Sequence, residues 1–390
     1  MSNIKEVVLL FLKLGFVSFG GPAAHNAIME QEVVVRKKWM PRENFLDFIG
    51  ATNLIPGPNS TELAMYCGFW RAGWAGLILA GICFICPAVL ITGVFAWIYV
   101  RFGTIPAVEP FLIGIRSSVL AIIFTAIYRF GKTALKGWEL ACIGLIVIIA
   151  SLSGINEISA ILSGGVIGML WLFIRREKRE AMNNFSPIAG LLSRKLTAHV
   201  HSTSIIAPIL LLIDNPSLTS IFFVFLKVGA VLFGSGYVLV AYLDGELVSR
   251  LGWITRQQLL DAIAIGQFTP GPLLSTATFV GYQILGIGGA IAATLGIFLP
   301  SFVFVALSNP FIPKLRKSKL TSYFLDSVNI SAVGIMAAIA LKLGITELIN
   351  WKSIIIFLIS ASAIFVWKNI NSVYFILFGS LVGYILNSLI

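Results

Sequence analysis

Charge is scarce in this sequence. Only 12% of its 390 residues are acidic or basic, while 58% are hydrophobic, which leaves too little polar surface to cover a soluble domain of this size. There are three histidines and four cysteines. Cys83 and Cys86 lack a second cysteine pair or a nearby histidine, and Cys67 and Cys142 sit in apolar runs, so all four read as packing residues. The signatures His-Glu-x-x-His and Gly-x-Ser-x-Gly are missing, as is a phosphate-cradling glycine loop with its lysine. These absences argue against an enzyme, and no cofactor is expected. A cleavable signal is not expected either, because the one N-terminal lysine, Lys5, precedes an apolar run leading directly into a motif that the second half repeats.

What the sequence has in abundance is apolar runs of about 20 residues, the length that crosses a bilayer. They recur from end to end and predict an all-α polytopic membrane protein, with the lipid bilayer as its surroundings and the cell membrane as its location. The formal charge of +11 would point to nucleic acid in a soluble chain. Here most cations lie between apolar runs, the pattern of cytoplasmic loops, and no nucleic-acid partner is expected.

The chain repeats itself. At an offset of 214, FLKLGFVSFG from Phe11 aligns with FLKVGAVLFG from Phe225, and Glu32, Arg36, Trp39, Arg42 and Asp47 meet Glu246, Arg250, Trp253, Arg256 and Asp261. The triplet Pro56-Gly57-Pro58 meets Pro270-Gly271-Pro272, and after one deletion an offset of 213 pairs Gly131 with Gly344 and Trp138 with Trp351. The reading is a first membrane repeat over 1–174, a basic cytoplasmic linker over 175–221 and a second repeat over 222–390. Each repeat is expected to contain an apolar helix (7–20), a break at Gly20-Gly21-Pro22, a polar stretch ending at Trp39, a proline-broken hairpin (44–70) and four apolar runs near 75–98, 109–130, 138–152 and 157–174. The later four recur near 286–306, 324–343, 353–366 and 372–389.

If the hairpin enters and leaves on one side, each half crosses about five times and the second half is inverted. That arrangement puts 18 Lys and Arg on the linker side and six on the other, as the positive-inside rule favours. Six full crossings per half would split the same residues almost evenly. An alternative, in which the first helix is also re-entrant and the halves are parallel, gives a similar split.

Two prolines and a glycine inside an apolar stretch break a helix, and the backbone groups freed at membrane depth must be buried in protein or line a polar cavity. Matching breaks in two halves point to a transporter's binding site. After Pro58 the chain resumes as Asn59-Ser60-Thr61-Glu62, a capping-type start whose N–H groups could hold an oxyanion or serve only as a helix end. Ser275 and Thr276 are the hydroxyl donors of the second half. Ser18, Gly20 and Gly21, with Gly234, Ser235 and Gly236, end the first helices, where close packing explains the glycines nearly as well. Lys13, its mate Lys227, and Arg116, whose counterpart is Asn329, are cations inside apolar helices. Such cations usually mark a pathway, with snorkelling as the competing explanation. His25 and Glu62 are candidates for proton coupling; Glu32 and Glu246 each have an arginine at i+4 and read better as surface pairs.

At SFGGPAAH (18–25), IPGPNSTELA (55–64) and GQFTPGP followed by TATFVGY and GIFLPSF (266–302), the chain resembles the chromate transporter family in its two-domain long form. The resemblance covers both halves and implies a secondary transporter of the cytoplasmic membrane that expels chromate, with sulfate a related anion, and two domains of opposite orientation. Where the family has Gly-Gly-Gly-Tyr, this chain has Gly234-Ser235-Gly236-Tyr237. The expectation is an oxyanion site between the two hairpins and the ends of the first helices. A passive anion channel along the same path is the rival reading, and oligomeric state, a homo-oligomer included, is left open.

Overall fold

The computed structural model describes residues 2–19, 21–103, 105, 108–183, 215–233, 236–308, 319–367 and 370–388. Gly20, Gly234, Ser235 and linker residues 184–214 lie outside the described residues. All regular structure among those described is helical. The first half comprises α1 (Ser2–Val17), α2 (Gly21–Glu30, continued by a π turn at Gln31–Arg36), α3 (Arg42–Thr52), α4 (Asn59–Phe102), α5 (Glu109–Ala134), α6 (Trp138–Leu152) and α7 (Glu157–Asn183). The second comprises α8 (Leu218–Val231), α9 (Val238–Leu243, continued by a π turn at Asp244–Arg250), α10 (Arg256–Phe268), α11 (Thr276–Ser308), α12 (Lys319–Glu347), α13 (Trp351–Val366) and α14 (Ser372–Ser388). Among the described residues, five helices are long and apolar enough to cross a membrane: Asn59–Phe102, Glu109–Ala134, Glu157–Arg175, Leu273–Ser308 and Leu320–Glu347.

The repeat is visible in the backbone. Helix α4 is kinked at Gly73 (φ 61°, ψ −149°) and α11 at Gly286 (φ 59°, ψ −148°), so each is a short helix folded back on a long one. Glycines permit the fold-back. A Cβ on Gly76 would lie 2.0 Å from the Gly68 carbonyl oxygen, and one on Gly289 would lie 2.1 Å from that of Gly281. In the same way Gly15 of α1 packs at the Phe84 carbonyl and Gly229 of α8 at the Ile297 carbonyl.

Both arms of each Pro-Gly-Pro hairpin are too short to span. Helix α3 and residues 59–71 are about 16 and 20 Å long, against a hydrocarbon core of about 30 Å. Helix α1, at 16 residues, is about 24 Å and also stops part-way. Its start is fastened by the Glu6–Arg71 ion pair at 2.8 Å, and the chain returns to that level after α2, where Trp70 Nε1 donates to the Trp39 carbonyl at 2.9 Å. Each half therefore carries a second pair of short broken helices, α1 with α2 and α8 with α9, ahead of its Pro-Gly-Pro hairpin.

The halves grip each other at the breaks. Gly57 N–H donates to the Leu232 carbonyl and Gly271 N–H to that of Ser18, both at 2.8 Å. Donors and acceptors correspond at the 214 offset, so the exchange is reciprocal, as a two-fold relation requires. The long stretches run antiparallel: Gly81 packs on the Phe302 ring, and residues 89–97 of α4 face 287–295 of α11 across an apolar groove. Outward-facing Leu90, Ile146, Ile287 and Leu307 are exposed, which suits contact with lipid tails.

Candidate functional site

Four broken helix ends meet where the halves exchange hydrogen bonds. Gly57 (φ 143°) and Gly271 (φ 90°) form the tips, flanked by Pro56 and Pro58 and by Pro270 and Pro272. No side chain caps α4. The expected capping by Asn59, Ser60 or Thr61 is not formed, because Asn59 Nδ2 is spent on Asn53 Oδ1 at 2.7 Å while Ser60 and Thr61 turn into the buried interior. The N–H groups of Thr61 and Glu62 are taken by the Pro58 carbonyl, so only those of Asn59 and Ser60 remain for a ligand. In the second half Thr276 Oγ1 donates to the Leu273 carbonyl and Ser275 accepts from Thr92. Buried His25 shares the Ser18 carbonyl with Gly271, its Nε2 lying 3.1 Å away, which is the role of a helix-end hydrogen bonder.

Beside the tips lies a cavity of about 840 Å³ between the halves. It reaches from Lys136 and Asp326 at one end to Gly21, Asn53 and Asn59 at the breaks. Its α5 wall, from Ile122 to Ala134, covers about 18 Å of depth, and its volume holds more than about twenty waters, so it is a vestibule rather than a snug site. Five asparagines line it, Asn26, Asn53, Asn59, Asn329 and Asn371, together with Arg129. Lys136 is neutralised by Asp326 at 2.7 Å; Arg129 has no carboxylate in ion-pair contact among the described residues, and the wall is net positive. Carboxamides supply N–H donors without fixed charge, a chemistry that can hold an anion and still release it.

Neither lysine of the first helices reaches the cavity wall. Lys13 pairs with Glu32 at 3.0 Å, and Arg36 joins the same carboxylate at 3.0 Å. Lys227 pairs with Glu246, to which Arg250 also donates at 2.9 Å. Each half thus repeats one Lys–Glu–Arg triad. The Lys13 ammonium, aided by Arg36, holds the Glu32 carboxyl below the usual carboxylate range.

Arg116 is buried in a different role. Its Nε and Nη2 each meet an Asp261 oxygen at 2.8 Å, Tyr99 donates to the same carboxylate at 2.7 Å, and Nη1 reaches Glu109 at 3.1 Å. The guanidinium clamps α5 of the first half to α10 of the second. Its repeat counterpart Asn329 lines the cavity instead.

A profile of the chromate transporter family matches residues 5–169 and 219–384. The chain belongs to the chromate transporter family. It is accordingly a multi-pass membrane protein of a family of transporters. It is 27% identical to the chromate transport protein of Cupriavidus metallidurans over 98% of this chain and 92% of that one. Identity is 29% to the probable chromate transport protein of Synechococcus elongatus, over 92% and 89%, and 28% to an uncharacterized transporter of Methanocaldococcus jannaschii, over 98% and 94%. No solved structure matches.

For this member of the chromate transporter family, residues that sequence reasoning passed over now stand at the site. Asn53 and Gln267 correspond at the 214 offset, each three residues before its Pro-Gly-Pro. The Asn53 oxygen is taken by Asn59, leaving its amino group free at the cavity. The Gln267 oxygen accepts from Ser372 at 3.1 Å, and from Tyr237 at 3.5 Å, while its Nε2 is buried without an acceptor. Ser372 and Tyr237 both line the cavity. The matched spacing was the signal that could have found this pair.

Proposed function

We propose that the chain is a secondary transporter that carries a tetrahedral oxyanion out of the cell, with chromate the leading candidate and sulfate its chemical relative. The observation that carries the reading is the repeat-matched carboxamide pair, Asn53 and Gln267, each with its oxygen engaged and its N–H₂ left to donate beside a broken helix tip. Arg129 supplies the charge that draws an anion into the vestibule, and the free N–H groups of Asn59 and Ser60 complete a set of donors from both halves. The names of the relatives in Cupriavidus and Synechococcus favour chromate. The halves are taken to have opposite membrane orientation, which the antiparallel course of α4 and α11 supports. Rocking of one half against the other would then expose the tips alternately.

Chromate binding to purified protein and uptake into proteoliposomes test this. Asn53→Ala and Gln267→Ala are each expected to weaken binding about tenfold or more, since a hydrogen bond to a charged group contributes about 1.5–3 kcal/mol. Arg129→Gln should slow uptake most at low salt. Unchanged affinity in both carboxamide variants would remove the pair from the site. Accumulation against a gradient excludes a passive channel.

A further inference from the structure

Among the described residues, one buried acid has both carboxyl oxygens shut away from solvent with no hydrogen-bond partner. Glu62, in the first turn of α4, is 0% exposed, and neither carboxyl oxygen receives a hydrogen bond. It is pressed against the hairpin tip and the opposite half: a Cβ on Gly57 would lie 2.1 Å from Glu62 Oε1 and 2.5 Å from Ser301 Oγ of α11. The Ser301 hydroxyl is itself buried and unpartnered. Tyr66 is the titratable group facing Glu62 from its own helix, and its hydroxyl is held by Ser308 of α11 at 2.6 Å. Among the described residues no lysine, arginine, histidine or second acid bonds to this carboxyl. The other tip has no acid: Leu273, Leu274, Ser275 and Thr276 follow Pro272, and Thr92 donates to Ser275 and Thr269 there.

We infer that Glu62 is the proton-carrying group of the transport cycle, taking up and releasing one proton as the first hairpin tip parts from and returns to α11. This rests on the oxyanion-transport reading above. An ionised carboxylate with only the Ser301 hydroxyl beside it and no cation still costs several kcal/mol, so the packed arrangement holds the neutral acid. A proton fits where a hydrated cation does not, because the carboxyl is already in contact with backbone. When the tip parts from Ser301, water reaches the carboxyl and the O–H proton passes to it, leaving a carboxylate. The tip can repack only after that carboxylate has recovered a proton. Because carboxylate and dianion repel at the same tip, the dianion is favoured while Glu62 is neutral, so proton and oxyanion move together in whichever direction the gradients set, and the net negative charge of the pair lets an inside-negative potential drive it outward.

The test uses full-length protein in proteoliposomes with chromate or sulfate and an internal pH dye. Wild type should move protons with the anion and accumulate it when the outside is made acid. Glu62→Gln, isosteric and permanently neutral, should bind the anion normally yet move no protons and ignore an imposed pH gradient. Proton flux and pH-driven accumulation of wild-type size in Glu62→Gln would overturn the assignment, as would accumulation driven by a sodium gradient. Difference infrared spectra of the anion-free protein test the acid independently of transport. The C=O band of a buried protonated carboxyl should be present in wild type and lost in Glu62→Gln; its absence in wild type overturns the inference even if the anion is carried, and its presence sustains it if chromate proves the wrong anion.

Discussion

Arg116→Gln is expected to leave little folded protein in the membrane. The substitution strands Asp261, 2% exposed, as a buried carboxylate with only Tyr99 to stabilise it, and breaking a buried pair by removing one partner costs about 3–5 kcal/mol. Set against a total stability of about 5–15 kcal/mol, that is a large share. The two-point geometry matters as well as the charge, so Arg116→Lys should recover only part of the loss. Removing the pair altogether, with Arg116→Met and Asp261→Leu, should restore most of it, because the burial cost of both ions disappears with their attraction. Glu109, half exposed in the same cluster, should tolerate conversion to glutamine. Detergent-extracted yield and thermal midpoint measure this, and a wild-type midpoint in Arg116→Gln would show that the clamp contributes nothing.

Gly57→Ala should abolish transport and lower the thermal midpoint. Two costs combine. At φ 143° a side chain is strained, by roughly 1–3 kcal/mol, and its Cβ would run into Glu62 and Ser301, an overpacking cost of about 1–3 kcal/mol. Gly21 is the control: it also has positive φ, 80°, but nothing lies within 4 Å of an added Cβ. Gly21→Ala should therefore carry backbone strain alone. Adding Glu62→Ala to Gly57→Ala relieves the collision with Glu62 but neither the contact with Ser301 nor the strain, so it should return part of the stability and none of the coupled transport. Equal midpoints for Gly57→Ala and Gly21→Ala would refute the steric argument.

The broken hairpins and the two-fold repetition were legible because proline and glycine act locally and the repeat preserves their spacing. So were the i+4 pairs, Glu32 with Arg36 and Glu246 with Arg250, although both carboxylates are buried rather than on the surface, drawn in by the lysines of the first helices. What Lys13 and Lys227 do was not legible, since their acid partners lie 19 residues away across a turn whose direction no local rule sets. Arg116 read as a pathway cation because its cost at membrane depth was visible while Asp261, 145 residues on, was not. The hydroxyls after Pro58 read as caps by composition, yet Asn59 is drawn to Asn53 and no cap forms. Asn53 and Gln267 went unnoticed because carboxamides carry no charge to mark them.

The exchanged hydrogen bonds also have a meaning in time. Gly57 finds its acceptor, Leu232, about 175 residues later in synthesis, and the Ser18 carbonyl waits about 253 residues for Gly271. At about 5–20 residues per second, the first tip stays unfinished for roughly 10–35 s, its polar backbone groups held at a depth where lipid offers nothing in return. The insertion machinery must shelter the early half over that interval. A chain ending at residue 174 is expected to enter the membrane and then be degraded, and a second half supplied as a separate chain should rescue it.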